Sequence, residues 1–572
     1  MAPRSSRNAP ASPAPRAADP ADTREVEWQL SATNLDAVGR WIERHSRIDG
    51  LAIEKRPAEE IHDAYLDTAD WRIWRSGFAL RIRRKNGEAE ATLKGLRSAR
   101  PDLADRRELT EALPNAAMSA LEKSAGPVAS RVRDVAGEQG LRTLFDLRTS
   151  RRRFDVRRLE TPKDLAEIAL DETVFLTAGT RLERPLLRVE IEACGAEAIE
   201  ALGPFVDRLR ADCALGPAGS SKFAAGLHAA ALAPPPLERQ RLPVPIDLWT
   251  PVDHAVLQTL AARLDDWRAH EPGARLGEDP EELHALRAAG RRMDAILTVF
   301  APYLPVAVRR TRRRLTRLLG TLGEVRDLDI VSAEIDSFAD RLPQAHRATL
   351  EPLTRYVAAE RATSRARMLR ALNARATREW LERFSSLASE NRSTFSGREG
   401  SVRAVSVFPD LIRTRYRKLR KRVRRLRPGA PMSDYHALRA RTKKLRYALE
   451  TCASLYGRPA QEMLEALRRL QSRLGEQQDA CVISRVLLGL AIRPPADVPA
   501  ESVFLMGRLA ERHSREAVRM GRRIEKDWRK LEGRRWKALL ARLARLEGRS
   551  PPGSGRGAPR LERPSAAPEG EL

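Results

Sequence analysis

Between residue 23 and about residue 230, polar and apolar residues trade places at every step. EVEWQL, FALRIRRK, AEATLKGL, RRRFDV, LAEIALDETVF and LLRVEIEA all alternate in this way, the period-2 signature of strands with two unlike faces. After Pro245 the period lengthens to that of a helix, about 3.6 residues. Long Leu/Ala/Arg-rich segments take over, and Val, Ile and Thr thin out. The proline-rich ALAPPPLERQRLPVP at the changeover reads as a semi-rigid spacer. The pattern therefore predicts an α+β chain, with a strand-rich domain first and an all-helical region after it.

The polar faces of the strands carry charge. Glu25, Glu27 and Gln29 oppose Val26 and Trp28; Arg81 and Arg83 oppose Leu80 and Ile82; Thr92 and Lys94 follow on the next strand. Arg151, Arg153 and Asp155 oppose Phe154 and Val156, Glu167 and Asp171 oppose Ile168 and Leu170, and Arg188, Glu190 and Glu192 oppose Val189 and Ile191. One such strand reads as a sheet with its polar face in water. Six in succession, with both signs of charge, read as a closed barrel that gathers these side chains into a lumen. A lumen holding both signs is costly unless something bridges them. A phosphate chain with divalent cations does so: carboxylates hold the cations, and Arg and Lys hold the remaining oxygens.

The helical region repeats itself. HALRAAGRRMDAI begins at His284 and HALRARTKKLRYAL at His436; LGEVRDLD begins at Leu322 and LGEQQDAC at Leu474, and both pairs are 152 residues apart. A shared offset means duplication, and it predicts two similar helical halves about a pseudo-two-fold axis. On a helix, Arg287 and Arg291 fall within about 60° of His284, with Arg292 about 80° away on the other side. The second copy offers His436, Arg439, Lys443 and Lys444. From Arg413 to Arg427, ten of fifteen residues are basic and none is acidic, Arg413, Arg417 and Arg420 among them. Like charges at this spacing repel and weaken a helix unless a polyanion relieves them.

Composition sharpens this picture. The chain of 572 residues has 104 Lys+Arg against 77 Asp+Glu, a net charge of +27, most of it beyond Pro245. Such a field steers polyanions toward the protein. Aromatics are 5% of residues, too few for base-stacking platforms, and no helix-turn-helix or zinc-finger pattern occurs, so nucleic acid is not expected as a specific partner. No uncharged apolar run is long enough to span a membrane, and the N-terminus lacks the apolar core of a secretory leader. The four cysteines form no CxxC pair, which argues against a zinc ribbon or a disulfide framework; a cytoplasmic protein is expected. No Ser-His-Asp, Cys-His or P-loop arrangement appears. The predicted organisation is a tail at 1–22, a strand domain at 23–230, a linker at 231–247, helical halves at 248–388 and 409–548 joined by 389–408, and a tail at 549–572.

Glu25-Val-Glu27, YLDTADWRIWRSGFALRIRRK, ATLKG, RRELTEAL, EIALDE, RVEIEA and SSKFAAGL, in that order, resemble the CYTH superfamily of triphosphate tunnel metalloenzymes. The resemblance implies an eight-stranded antiparallel tunnel that hydrolyses triphosphate compounds with Mg2+ or Mn2+. It implies metal-facing carboxylates at Glu25, Glu27, Glu190 and Glu192 with Asp171 nearby. It further implies phosphate-gripping Arg81, Arg83, Lys94, Arg106, Arg151 and Arg153, a supporting Glu108, and Lys222 reaching back to the tunnel mouth. One departure stands out: Gln29 occupies the place of the family's lysine, a neutral donor where a charged one is expected. The histidine-bearing repeat resembles the CHAD domain, which implies two four-helix halves and a basic surface that binds inorganic polyphosphate. Together these imply a metal-dependent triphosphatase tunnel joined to a polyphosphate-binding domain, cytoplasmic and able to associate with polyphosphate granules. The alternatives are a non-catalytic polyphosphate-binding or granule-associated protein and, third, a nucleic-acid-binding protein.

Overall fold

The computed structural model describes residues 22–96, 103–160, 164–177, 180–181, 185–236, 246–394, 402–426 and 430–547. The expected tails, apart from Asp22 in the first strand, and 237–245 of the expected linker lie outside the described residues.

Eight long strands form the first part: β1 (Asp22–Ser31), β2 (Glu59–Thr68), β3 (Phe78–Lys85), β4 (Glu88–Gly95), β5 (Leu103–Leu113), β6 (Leu141–Arg158), β7 (Asp164–Thr177) and β8 (Leu186–Ala193). Each pairs antiparallel with two others, in the order β7-β8-β1-β5-β4-β3-β2-β6, and β6 pairs with β7 to complete the circle. The closed barrel expected from six charged strand faces is thus the observed one. Two of the strands, β2 and β5, fall outside the alternating segments. On β2 one face mixes Glu59, Ile61, Asp63 and Tyr65, which hides the period.

The barrel is apolar outside and largely charged inside, apart from one inner apolar cluster, Tyr65, Phe145, Leu147 and Phe175, which packs on Phe223 of the helix Lys222–Ala229. Trp28, Leu30, Ile168, Val189 and Ile191 pack outward under the helices Leu35–Arg44 and Ala196–Asp212, through Trp41, Phe205 and Leu209. Leu80, Ile82, Leu93 and Leu109 pack under the helix Pro127–Ala136, through Val128, Val132 and Val135. Each such side chain, fully buried, is worth about 1.5–3 kcal/mol, which offsets the cost of the charged interior. Because strand side chains alternate, a one-residue slip would exchange the two environments.

The helices of the two copies follow in the same order, with the 152-residue offset holding at the starts of the first two and drifting by up to nine residues in the others. Val252–Leu276, Pro280–Val299, Arg312–Ala339, Glu351–Asn373 and Arg375–Thr394 correspond to Ala404–Val423, Met432–Tyr456, Arg458–Ile492, Ala500–Lys530 and Trp536–Glu547. Each half therefore carries a fifth long helix beyond the four the resemblance implied. The connection expected at 389–408 is partly helical: helix runs to Thr394 and resumes at Ala404. The halves share one core, in which Phe300 meets Phe408 edge to face at 5.8 Å. Ion pairs join the helical part to the barrel: Glu278 accepts from Arg107 and from Arg131 at 3.0 Å, and Arg365 reaches Asp134 at 3.1 Å. No helix among the described residues is long and apolar enough to cross a membrane.

Candidate active site

The barrel encloses a cavity of about 410 Å³. Of the side chains expected there, Glu25, Glu27, Arg81, Arg83, Lys94, Arg106, Glu108, Arg151, Glu190, Glu192 and Lys222 line it, together with Gln29. Asp171 and Arg153 stand behind the lining. Asp171 is fully buried, accepting a forked pair of bonds from Arg151 at 2.7 and 2.8 Å and a contact from Lys222. Arg153 is taken up by Glu59 at 2.7 Å and by Glu167.

The cations fall into two groups. Arg83 is locked to Asp63 by two bonds of 2.8 and 2.9 Å, and Arg151 to Asp171 and, at 2.9 Å, to Glu190. Arg81 has only long bonds, 3.4 Å to Thr92 and to Glu108, and the buried Nε of Arg81 and of Arg106 finds no partner. The first pair fixes the wall; the second retains donors for a ligand.

The carboxylates crowd at one side. Register sets Glu27 directly opposite Glu192 across β1 and β8, and Glu190 opposite Gln29. Like charges facing each other in a ladder repel. The Lys94 ammonium relieves part of this, touching Glu25 and lying 3.2 Å from Glu27 and 3.7 Å from Glu108. Even so, burial and the neighbouring acids hold Glu25 and Glu27 above the usual carboxylate range. Glu192 keeps its tip in solvent, yet partial desolvation and then Glu25 and Glu27 push it up to about 7. On the other side Glu190, though buried, is held well below the ordinary range by Lys222 and Arg151. Gln29 donates to Glu27 at 2.6 Å, a neutral bond where a lysine would have added a charge.

This donor set suits a hard divalent cation: several oxygen ligands with unrelieved negative charge. Among the described residues no three carboxylates already converge as a cage. The Lys94 ammonium stands in the space between Glu25, Glu27 and Glu108.

In the helical part the two copies meet. The Arg287 guanidinium lies over Gly323, donating to its carbonyl at 3.2 Å, and Arg439 lies over Gly475. These are the same pair under the 152-residue offset. Arg291 acts on His436, Arg439 and Lys443 of the other copy, so the two basic faces form one cluster. Burial, then Arg439, Arg291, Arg446 and Arg287, drive Lys443 down to about 6. Burial and Arg291 lower Arg287 to about 10. Acids at this junction include Asp327, 3.9 Å from Arg287, Asp479, beside Arg439 and His284, and Glu281, 3.5 Å from Arg326 and acting on His284. Where Arg326 becomes Gln478 in the second copy, Arg439 takes that amide oxygen at 2.6 Å.

His284 and His436 are exposed at the edge of the cluster, and Arg292 is half-buried one step round the helix from Arg291. Lys444 faces another way, toward Arg441, Arg415 and Arg312. The structure does not bring Arg413 or Arg420 to the cluster. Arg413 grips Glu547 through two bonds of 2.6 and 2.7 Å, and Arg420 lies 3.1 Å from Glu532. Their compensating acids come from a distant part of the chain, invisible within the basic stretch itself. Arg417 remains exposed with Thr414 at 3.1 Å. In the barrel, Glu59 and Asp63 escape the sequence reading because their part of β2 does, and Tyr65, the first residue of the YLDTADW motif, carries no role in it.

Residues 40–224 match the CYTH domain and residues 258–488 the CHAD domain. No curated protein matches the chain. Among solved structures, the CHAD domain of the plant Ricinus communis is 24% identical, covering 54% of this chain and 96% of its own, with a TM-score of 0.41. PptA of Streptomyces chartreusis is 19% identical over 49% of this chain and all of its own, with a TM-score of 0.40. A Hippeastrum protein, a candidate adenylyl cyclase described as having a dominant triphosphatase activity, is 22% identical over 38% of this chain and all of its own, with a TM-score of 0.28.

Glu192 makes the lumen sensitive to pH. Its carboxyl titrates near 7 in the fold, against about 4.3 in an unfolded chain. The protonated form therefore adds stability that is complete below the unfolded value and is lost as pH rises through about 7. A divalent cation needs the ionised form. The rise in melting temperature on adding a divalent cation is expected to be larger at pH 8 than at pH 6, and Glu192→Gln should reduce the difference, leaving the smaller part due to Glu25 and Glu27. Equal rises at both pH values in the unaltered protein would contradict this.

Proposed function

We propose, for a chain that joins a CYTH domain to a CHAD domain, that the lumen hydrolyses inorganic triphosphate or short polyphosphate with Mg2+ or Mn2+. The helical face holds inorganic polyphosphate, and the protein works in the cytoplasm beside polyphosphate stores. The observation that carries the lumen reading is the facing pair Glu27 and Glu192, whose joint ionisation is disfavoured without a further cation, in a cavity otherwise rich in Arg and Lys. A cation–phosphate complex satisfies both signs at once.

In this mechanism Glu25, Glu27 and Glu192 would hold the cation, with Glu108 beside Lys94. A divalent ion bound there neutralises phosphate charge and acidifies a water molecule. Arg81 and Arg106 supply the unpaired donors to phosphate oxygens. Lys94 and Lys222 add two ammonium groups from opposite walls. Arg83 and Arg151, held by Asp63 and Asp171, keep the wall in place. Phosphoryl transfer to water needs little else, since positioning and charge stabilisation supply most of the rate. Gln29 favours one second reading, a tunnel that binds without turning over, because its amide serves Glu27 and adds no charge.

Two experiments test the assignments. Phosphate release from tripolyphosphate should require Mg2+ or Mn2+, stop with EDTA, and fall about a hundredfold or more in Glu27→Gln, the scale for removing one electrostatic element from such a site. Circular dichroism should show that the variant is folded. Turnover untouched by EDTA would refute the metal-dependent reading, and binding without any turnover would favour the second reading.

For the helical face, affinity for long polyphosphate should fall steeply with salt, because each neutralised phosphate releases counterions. Arg291→Glu, which adds an acid inside the cluster, should weaken binding about tenfold more than Arg523→Glu on the exposed face of another helix. Equal losses, or displacement of polyphosphate by RNA at matched phosphate, would mean a generic anion surface.

A further inference from the structure

Past Gln29 the barrel wall is completed by the loop Gly216–Ser221, which leads straight into the helix Lys222–Ala229. One side of this loop is sewn to β1. Leu30 pairs with Pro217 and Ser31 with Gly216, the Ala218 amide donates to the Gln29 carbonyl at 3.2 Å, and the Ser31 hydroxyl donates to the Pro217 carbonyl at 3.1 Å. The other side is held by one side chain. Arg188, on β8, donates through Nη2 to the carbonyl of Ser220. Ser221 then caps the helix, its hydroxyl accepting from the Ala224 amide at 3.2 Å. The next residue is Lys222, whose ammonium touches Asp171 and lies 2.9 Å from Glu190.

Arg188 is placed at a cost. It is 1% exposed, its Nε has no partner, and among the described residues no carboxylate lies within ion-pair distance of it. A buried guanidinium that bonds a carbonyl while Glu190 and Glu27 act on it only from farther off is poorly compensated. Nothing in the packing of the outer wall calls for it, since its strand neighbours Leu187 and Val189 supply the apolar contacts there.

We infer that Arg188 is the positioning residue for Lys222. By fixing the Ser220 carbonyl it sets where the cap and the helix begin, and so where the Lys222 ammonium stands between Asp171 and Glu190. This rests on the phosphohydrolase reading of the lumen, and it adds to that reading a residue that touches neither phosphate nor metal. A lysine at 188 keeps the charge and one donor; a glutamine of similar reach loses the charge.

The test is a double-mutant cycle on the full chain with Arg188→Gln, Lys222→Ala and the pair, with Arg188→Lys as the conservative variant. Both kcat/KM and calorimetric binding of tripolyphosphate are measured, with melting temperatures as a check on folding. Arg188→Gln is expected to lower kcat/KM about ten- to a hundredfold, the loss attached to one charged hydrogen bond. It should cost almost nothing further once Lys222 is alanine, and Arg188→Lys should restore most of the activity. A full, independent loss in the Lys222→Ala background, or no loss in either quantity, would overturn the inference. If Arg188→Gln does not fold, Arg188→Met, which likewise removes the charge and the donor, is carried through the same cycle with the same expected and contrary outcomes. If the unaltered protein binds tripolyphosphate but releases no phosphate, the phosphohydrolase reading fails by itself, and the cycle in binding affinity still decides the role of Arg188.

Discussion

Everything in the first half of this molecule depends on keeping charges of both signs inside a closed barrel without leaving them unpaired. Removing an ion from water costs several kcal/mol even after relaxation, and the lumen contains carboxylates and cations from nearly every strand. Three features make this tolerable. Apolar faces turned outward under helices provide the burial that a conventional core would give. Forked pairs, Arg83 with Asp63 and Arg151 with Asp171, settle the wall. The remaining imbalance, acid at Glu27 and Glu192 and spare donors at Arg81 and Arg106, is concentrated where a ligand would lie.

The helical half meets the same constraint with one sign only. Arg287, Arg291, Arg439 and Lys443 are brought together at the junction of the two copies by helices whose other faces form one shared core. The core imposes the crowding, and the lowered position of Lys443, about 6, records it. Duplication explains how such an arrangement arises: one helix that turns a guanidinium toward the next helix of its own half, repeated, supplies both walls. An anion entering between them would meet the gathered guanidinium groups and would favour the charged form of Lys443.

Much of this was legible in the chain before any coordinates. Alternation revealed six of the eight strands and the charged identity of their inner faces, because a strand with one face apolar and one charged leaves an unambiguous period. It missed β2, where Ile61 and Tyr65 share the inner face with Glu59 and Asp63, and with it the partner of Arg83 and one of the two partners of Arg153. The repeat placed His284 and His436 on equivalent helices, but a linear stretch could not show which cations have acids waiting elsewhere. Arg413 and Arg420 are adjacent to other bases in sequence and paired with Glu547 and Glu532 in space. Arg188 was noted as one more charge on a strand; its bond to the Ser220 carbonyl depends on a loop 32 residues away that no periodicity encodes.

The central claim is that the lumen is built for a cation and a phosphate chain together, each making the other tolerable. Calorimetric titration of tripolyphosphate with and without Mn2+, and of Mn2+ with and without tripolyphosphate, corrected for their complex in free solution, measures that coupling. The account predicts that each ligand tightens the other by the same factor, as linkage requires, and by about tenfold or more. Independent binding of the two, or tripolyphosphate binding that Mn2+ weakens, would contradict it.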